Sequence, residues 1–121
     1  MTRYGTTKVT DISIQTVAHG GDKRTTPWLP LKDICEDAVG LGILAPATLD
    51  VATYTIEVSD TVAGTVARTL CGSDGTTALA VPAAGKACDR SEILGAVAFR
   101  IKQSADCAAD RTFTIVKQFV M

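Results

Sequence analysis

The segment Thr53-Tyr54-Thr55-Ile56-Glu57-Val58-Ser59 carries the clearest structural signal in this chain. Its apolar side chains alternate with polar ones, which is the two-residue period of a half-buried β-strand. The three apolar side chains are therefore predicted to face a core. The polar side chains of Thr55, Glu57 and Ser59 are predicted to face water or a partner.

Strand signals of the same kind continue on both sides of this segment. The further candidate strands cover residues 9–17, 31–34, 39–44, 65–71, 77–81, 96–103 and 111–119. Turn signals rich in glycine, such as Gly72-Ser73-Asp74-Gly75, separate several of them. About eight short strands at this spacing predict an all-β, single-domain antiparallel β-sandwich or jelly roll.

Helical signals are sparse in comparison. Asp89-Arg90-Ser91-Glu92 has the pattern of a capping box, with Asp89 as the residue before the helix. This pattern predicts at most one short helical turn, which would end near Leu94.

The length of 121 residues indicates one domain. Residues 9–121 are predicted to form the β-sandwich. Residues 1–8 are polar and rich in threonine, and they lack the period of a core strand. They are therefore predicted to form an extended N-terminal arm that clasps a neighbouring molecule.

Charge and hydropathy exclude several classes of partner. Twelve basic residues face thirteen acidic ones, which gives a net charge of −1. Proteins that bind nucleic acid through phosphates need a basic face, so no nucleic-acid partner is expected. No apolar run approaches the roughly 18 residues of a membrane span, and the N-terminus lacks the apolar region of a signal peptide. The chain is therefore predicted to be made in the cytoplasm and to have no membrane partner.

No residue pattern indicates catalysis, a metal site or a cofactor. His19 is the only histidine, and the sequence contains no nucleophile motif beside it and no phosphate-binding loop. The four cysteines, Cys35, Cys71, Cys88 and Cys107, lack the spacing of a zinc site. We expect free thiols and no enzymatic activity. A bridge between Cys71 and Cys88 after release from the cell is the alternative for that pair.

Six residues are candidates for a partner interface, and they differ in how they are expected to act. The set consists of Tyr4, Trp28, Arg100, Lys102, Arg111 and Lys117. The four basic residues lie on the outer faces of the last two predicted strands. If these strands pair, they form a basic stripe, which is either a solvated face or a patch that docks on an acidic protein surface.

The two aromatic candidates belong to segments expected to be extended. Tyr4 lies in the predicted arm. Trp28 stands between Pro27 and Leu29-Pro30, and residues before proline avoid the helical region. Trp28 is either an interface anchor, because tryptophan is enriched at binding hot spots, or a cap on the end of the sandwich core.

The second half of the chain resembles small virion proteins of tailed bacteriophages over roughly residues 41–119. The resemblance rests on short motifs: Ile43-Leu44-Ala45-Pro46-Ala47-Thr48-Leu49, the segment 52–60, Ser73-Asp74-Gly75, Ala83-Ala84-Gly85-Lys86-Ala87, Phe99-Arg100-Ile101-Lys102 and the segment 108–114. Proteins of this type are similar to β-sandwich or jelly-roll decoration proteins, also called cement proteins, of the capsid.

This resemblance implies a structural role on the capsid surface of a virion, after synthesis in the host cytoplasm. The implied partners are the major capsid protein and further copies of the chain, as a dimer or trimer. The resemblance brings no catalytic residues. Two alternatives remain: a carbohydrate-binding module of the virion, and a head–tail or tail structural component.

Overall fold

Eight strands and one short 3₁₀ helix make up the regular structure of residues 3–16, 23–32 and 35–121, which the computed structural model describes. The strands are β1 (Tyr4–Ile14), β2 (Leu29–Pro30), β3 (Ala38–Leu44), β4 (Tyr54–Ser59), β5 (Arg68–Thr69), β6 (Ala87–Asp89), β7 (Ala98–Gln103) and β8 (Arg111–Val120). The 3₁₀ helix, Ser91–Gly95, lies between β6 and β7.

The strand pairing is that of a hairpin rolled into two layers. β1 pairs with β8, β2 with β7, β3 with β6 and β4 with β5, all antiparallel. Two further pairings, β3 with β8 and β4 with β7, complete the sheets. The first sheet has the order β1-β8-β3-β6 and the second has the order β2-β7-β4-β5. This is the topology of a jelly roll, so the predicted fold class is confirmed.

The core lies between the inner faces of the two sheets. Alternate residues of each strand point inward, as the two-residue period requires. The largest fully buried side chains are Phe99 of β7 and Phe113 of β8, and isoleucines fill the space around them. Ile43 and Ile115 belong to the first sheet and Ile56 to the second, so both layers contribute to the same core.

The outer face of β4 differs from its prediction. Glu57 and Ser59 are only 8% and 3% exposed, although their place in the alternating pattern predicts that they face water or a partner molecule. The reason is that this face of the second sheet is covered, because Arg100 pairs with Glu57 and Ser59 bonds to Thr61 in the following loop. Alternation therefore identified the strand correctly but not the environment of its outer side chains.

Several shorter elements also differ from the sequence analysis. The predicted strands 65–71 and 77–81 reduce to β5 and two isolated bridges, Cys71 to Ala78 and Thr55 to Ala80. β6 was not predicted, because three residues are too few to show a period. The helical turn starts at Ser91 and follows Arg90, which makes no side-chain cap bond. The Asp89 carboxylate nevertheless accepts a hydrogen bond from the Ser91 amide at 2.9 Å.

The predicted N-terminal arm is part of the sheet. Residues 4–8 form the start of β1 and pair with β8 from Tyr4 opposite Val120 to Lys8 opposite Val116. Threonine-rich segments have a high β-propensity, and the end of β8 offers a partner strand for this one. Residues 1 and 2 of that prediction lie outside the described residues.

The four cysteines are free thiols in the structure. Cys35 and Cys107 are buried, and Cys71 and Cys88 are partly exposed. Burial raises the pKa of the Cys35, Cys88 and Cys107 thiols, which keeps them in the protonated, less reactive form. His19 and the end of the predicted strand 31–34 lie outside the described residues.

Candidate interaction surfaces

The predicted basic stripe does not exist, because β7 and β8 belong to different sheets. Arg100 and Lys102 lie on the outer face of the second sheet, whereas Arg111 and Lys117 lie on a strand of the first. Successive strands of a jelly roll cross from one layer to the other, so neighbours in sequence need not pair. Three of the four cations also have carboxylate partners within the chain.

Arg111 belongs to a polar cluster at one end of the sandwich. Its guanidinium donates two hydrogen bonds to the Asp50 carboxylate, Nη2 to Oδ1 at 2.7 Å and Nε to Oδ2 at 3.3 Å. The Asp50 carboxylate also accepts bonds from Gln103 Nε2 at 3.1 Å and from the Ala108 amide at 3.3 Å. The Asp50 amide donates to Tyr54 Oη at 3.0 Å. This cluster joins β4 and β7 of one sheet to β8 of the other.

The Asp50–Arg111 pair is nearly buried, since the two side chains are 14% and 12% exposed. Hydrogen bonds from Arg111 and then Gln103 lower the pKa of Asp50 to about 2, from an ordinary value of 3.8. Because Nε and Nη2 of Arg111 both bond to Asp50, the cluster has a structural role in joining the two sheets. The assignment of Arg111 to a partner interface stays a prediction, and the structure shows this side chain bound to Asp50 within the chain.

We expect the pair to make the protein sensitive to acid. The unfolded chain takes up a proton at Asp50 first, near pH 3.8, so the stabilisation is present above that pH and is lost as the pH falls toward 2. Urea unfolding measured between pH 6 and pH 2 should show this loss. The variant Asp50→Asn should lose less unfolding free energy over the same window, and equal slopes for the two proteins would contradict the assignment.

Lys117 is also paired, although its partner is more exposed. Its Nζ bonds to the Asp37 carboxylate, and this bond lowers the pKa of Asp37. The Lys117 side chain is only 18% exposed, because it shares the inward-facing side of β8 with the buried Phe113 and Ile115, which corrects its predicted place on the outer face. Lys102, by contrast, is exposed on the outer face of β7.

Trp28 lies on the outer surface of the second sheet and does not cap the core. The Arg100 Cζ atom is 4.5 Å from the centre of its ring, a cation–π contact, and Arg100 Nε bonds to Glu57 at 2.7 Å. The backbone of Gly64 also lies against Trp28, so closely that a Cβ added to this glycine would be 2.2 Å from the indole. Trp28 is thus clamped between a cation and a glycine backbone, and it is partly exposed.

An open groove of about 370 Å³ crosses the outer face of the first sheet. All four strands contribute to it, and its lining includes Thr6, Gly40, Gly42, Leu44, Ala87 and Val116. The inward neighbours Leu41 and Ile43 are buried, so the glycines of β3 lie on the outer side of the sheet, where Gly42 is partly exposed and Gly40 is buried. Leu44 is 38% exposed at its end.

The two glycines form the floor of the groove. A Cβ on Gly42 would lie 3.0 Å from Val116 Cγ2, and one on Gly40 would lie 3.0 Å from the Gln118 side-chain oxygen. Any side chain at these positions would therefore fill the space. The alternation Gly40-Leu41-Gly42-Ile43 is visible in the sequence as a strand with one bare face. That signal identifies the groove, and Lys117 is the one member of the sequence-based set of interface residues in its lining.

Tyr4 stands near one end of this surface. It is 54% exposed and lies opposite Val120, which is 52% exposed. The structure thus places Tyr4 on the first sheet and Trp28, Arg100 and Lys102 on the second, so the six predicted residues do not form one surface.

Among residues 3–16, 23–32 and 35–121, no group of three or more His, Cys, Asp or Glu side chains is placed to hold a metal ion. Over the same ranges, no helix has the length and apolar character needed to cross a bilayer.

Comparisons of the chain with protein family models, with curated proteins and with solved structures give no match.

Proposed function

We propose that the chain is a structural protein of a tailed-phage virion that binds the outside of the capsid shell and stabilises it. The observation that carries the proposal is the open groove on the outer face of the first sheet. The groove is lined mainly by glycine backbone and by the apolar side chains of Leu44, Ala87 and Val116, so it suits an apolar segment of another protein. The proposed occupant is an extended segment of the major capsid protein.

The shape of the groove supports a protein segment as its occupant. It is open to solvent and is lined by residues of four neighbouring strands, so a chain can lie across the sheet. Burial of apolar side chains in such a groove contributes roughly 25 cal/mol for each Å² removed from water. Many weak copies on one shell add avidity, so no single contact has to be tight.

The fold and the resemblance to decoration proteins support the same function. Jelly rolls are common in viral capsid proteins and in lectins, although fold alone does not determine function. The short motifs between residues 41 and 119 favour the capsid class. Two of them lie at the groove, since Leu44 and Ala87 belong both to the motifs and to its lining.

The experiment uses capsid shells assembled without this protein. The purified protein is added to the shells, and the bound copies are counted after sedimentation. The variant Ala87→Glu, which puts a charge into the groove, should lower the bound copies at least tenfold. The matched control Ala105→Glu changes an exposed alanine in the loop after β7, outside the groove, and should bind like the original.

Each result of this experiment has a distinct meaning. Failure of the unmodified protein to bind shells would overturn the proposed function. Equal binding of Ala87→Glu and the original would show that the groove is not the docking site. Binding of the protein to glycans, and not to shells, would favour the carbohydrate-binding alternative.

A further inference from the structure

The edge strand β1 has one unpaired side. It is the outermost strand of the first sheet and pairs with β8, and no strand of the described ranges pairs with its other side. Its eleven residues contain no proline and only two charges, Lys8 and Asp11. A long unpaired edge without proline is a template for another strand.

The hydrogen bonds to β8 show which residues face the free edge before the bulge of β1. The Met121 amide donates to the Arg3 carbonyl at 2.9 Å, so these two residues form a hydrogen-bonded pair. In an antiparallel ladder such pairs alternate with pairs whose amides and carbonyls point away. The backbone groups of Tyr4, Thr6 and Lys8 therefore point toward the free edge.

A bulge changes this set in the middle of the strand. The register shifts between Lys8 and Thr10, where β1 has one extra residue. Beyond the bulge the free-edge groups belong to Asp11, Ser13 and Gln15. The amide of Thr16 agrees with this assignment, because it bonds to Asp110 on the β8 side at 2.8 Å.

The free-edge residues have even numbers before the bulge and odd numbers after it. Because of this change, the free edge of one copy can pair with the free edge of a second copy. When two copies of β1 lie antiparallel, one register aligns the free-edge residues along the whole strand. It sets Lys8 opposite Asp11 of the partner subunit, and Thr6 opposite Ser13 of the partner subunit. In a register with Lys8 opposite the same residue of the second copy, like charges would meet and the edges beyond the bulge would not align.

We propose that two copies of the chain pair along β1 about a two-fold axis, with Lys8 of each copy against Asp11 of the other. The two sheets then join into one sheet of eight strands. The charges complement each other twice, as the symmetry of a two-fold interface requires. Lys8 and Asp11 are 57% and 42% exposed, so a second copy can reach both side chains. The contact between copies would exchange with the bond that they form within the chain at 2.8 Å. This dimer does not depend on the capsid proposal.

The test exchanges the two charges between copies. The single variants Lys8→Glu and Asp11→Lys each place like charges across the proposed axis. Sedimentation equilibrium should show that either variant alone self-associates at least about tenfold more weakly than the original protein. A mixture of the two variants should dimerise again, because each position-8 charge then faces an opposite charge at position 11 of the other copy.

The mixture separates this contact from effects within one chain. Each single variant carries like charges at positions 8 and 11 of the same chain, and mixing does not relieve that repulsion. Recovery of the dimer on mixing would therefore establish the contact between copies. A protein that stays monomeric up to roughly millimolar concentration, a dimer that both variants leave unchanged, or no recovery on mixing would each overturn the proposal.

Discussion

Replacing Gly64 with alanine is expected to lower the unfolding free energy by about 3 kcal/mol, which corresponds to a loss of roughly 10 °C in Tm. Two costs add at this position. The backbone has φ of +69°, a conformation that side chains rarely adopt, and the new Cβ would lie 2.2 Å from the indole of Trp28. Thermal and urea unfolding of Gly64→Ala measure the effect.

Gly75 provides a matched control for the backbone cost alone. Its φ of +73° is nearly the same, but among the described residues no atom beyond its chain neighbours lies within 4 Å of the Cβ that alanine would add. Gly75→Ala should therefore cost only about 1 kcal/mol. In a Trp28→Ala background the cost of Gly64→Ala should fall to the same value. Equal costs for the two glycines in the original protein would contradict the clamped position of Trp28.

Replacing Arg111 with methionine is expected to lower the unfolding free energy by about 3 kcal/mol. The change keeps most of the apolar stem but leaves the Asp50 carboxylate nearly buried without its cation. Of its donors in the described part of the chain, Gln103 and the Ala108 amide then remain. The cluster joins the two sheets, so its loss should destabilise the fold as a whole. Urea unfolding at pH 7 measures the effect.

Arg68 is the matched control for this prediction. It forms an ion pair with Asp60 at 3.9 Å, and the two side chains are 61% and 68% exposed. Exposed pairs of this kind contribute at most about 1 kcal/mol, so Arg68→Met should change the stability little. If Arg111→Met and Arg68→Met lowered the unfolding free energy equally, the Asp50–Arg111 pair would have no special role in joining the sheets.

The strands with one buried face could be predicted from the sequence. β4, β7 and β8 keep a clear alternation because their inner residues, such as Ile56, Phe99 and Phe113, meet the core. The class of fold follows from the number and spacing of such segments. β5 and β6 were harder because two or three residues show no period.

Pairing between strands could not be predicted in the same way. β7 and β8 are consecutive, yet the roll of the chain puts them in different sheets, and this separates Arg100 from Arg111. Likewise, the burial of Glu57 depends on Arg100, which is 43 residues away in sequence. Such contacts depend on the tertiary arrangement, and the local pattern of residues does not contain them.

The groove on the first sheet could be predicted from the sequence only in part. Its floor is visible in the sequence as Gly40 and Gly42 between buried neighbours. Whether that bare face is open depends on the strands on either side. The structure shows that β8 and β6 flank it and leave it uncovered among the described residues.

The number of copies per particle tests the proposed capsid role most directly. Purified virions are analysed by quantitative mass spectrometry, and the amount of this protein is divided by that of the major capsid protein. The proposal predicts a fixed ratio set by the capsid lattice, with the copies distributed over the shell. A handful of copies per particle, located at the portal or the tail, would contradict the proposal and favour a head–tail or tail component.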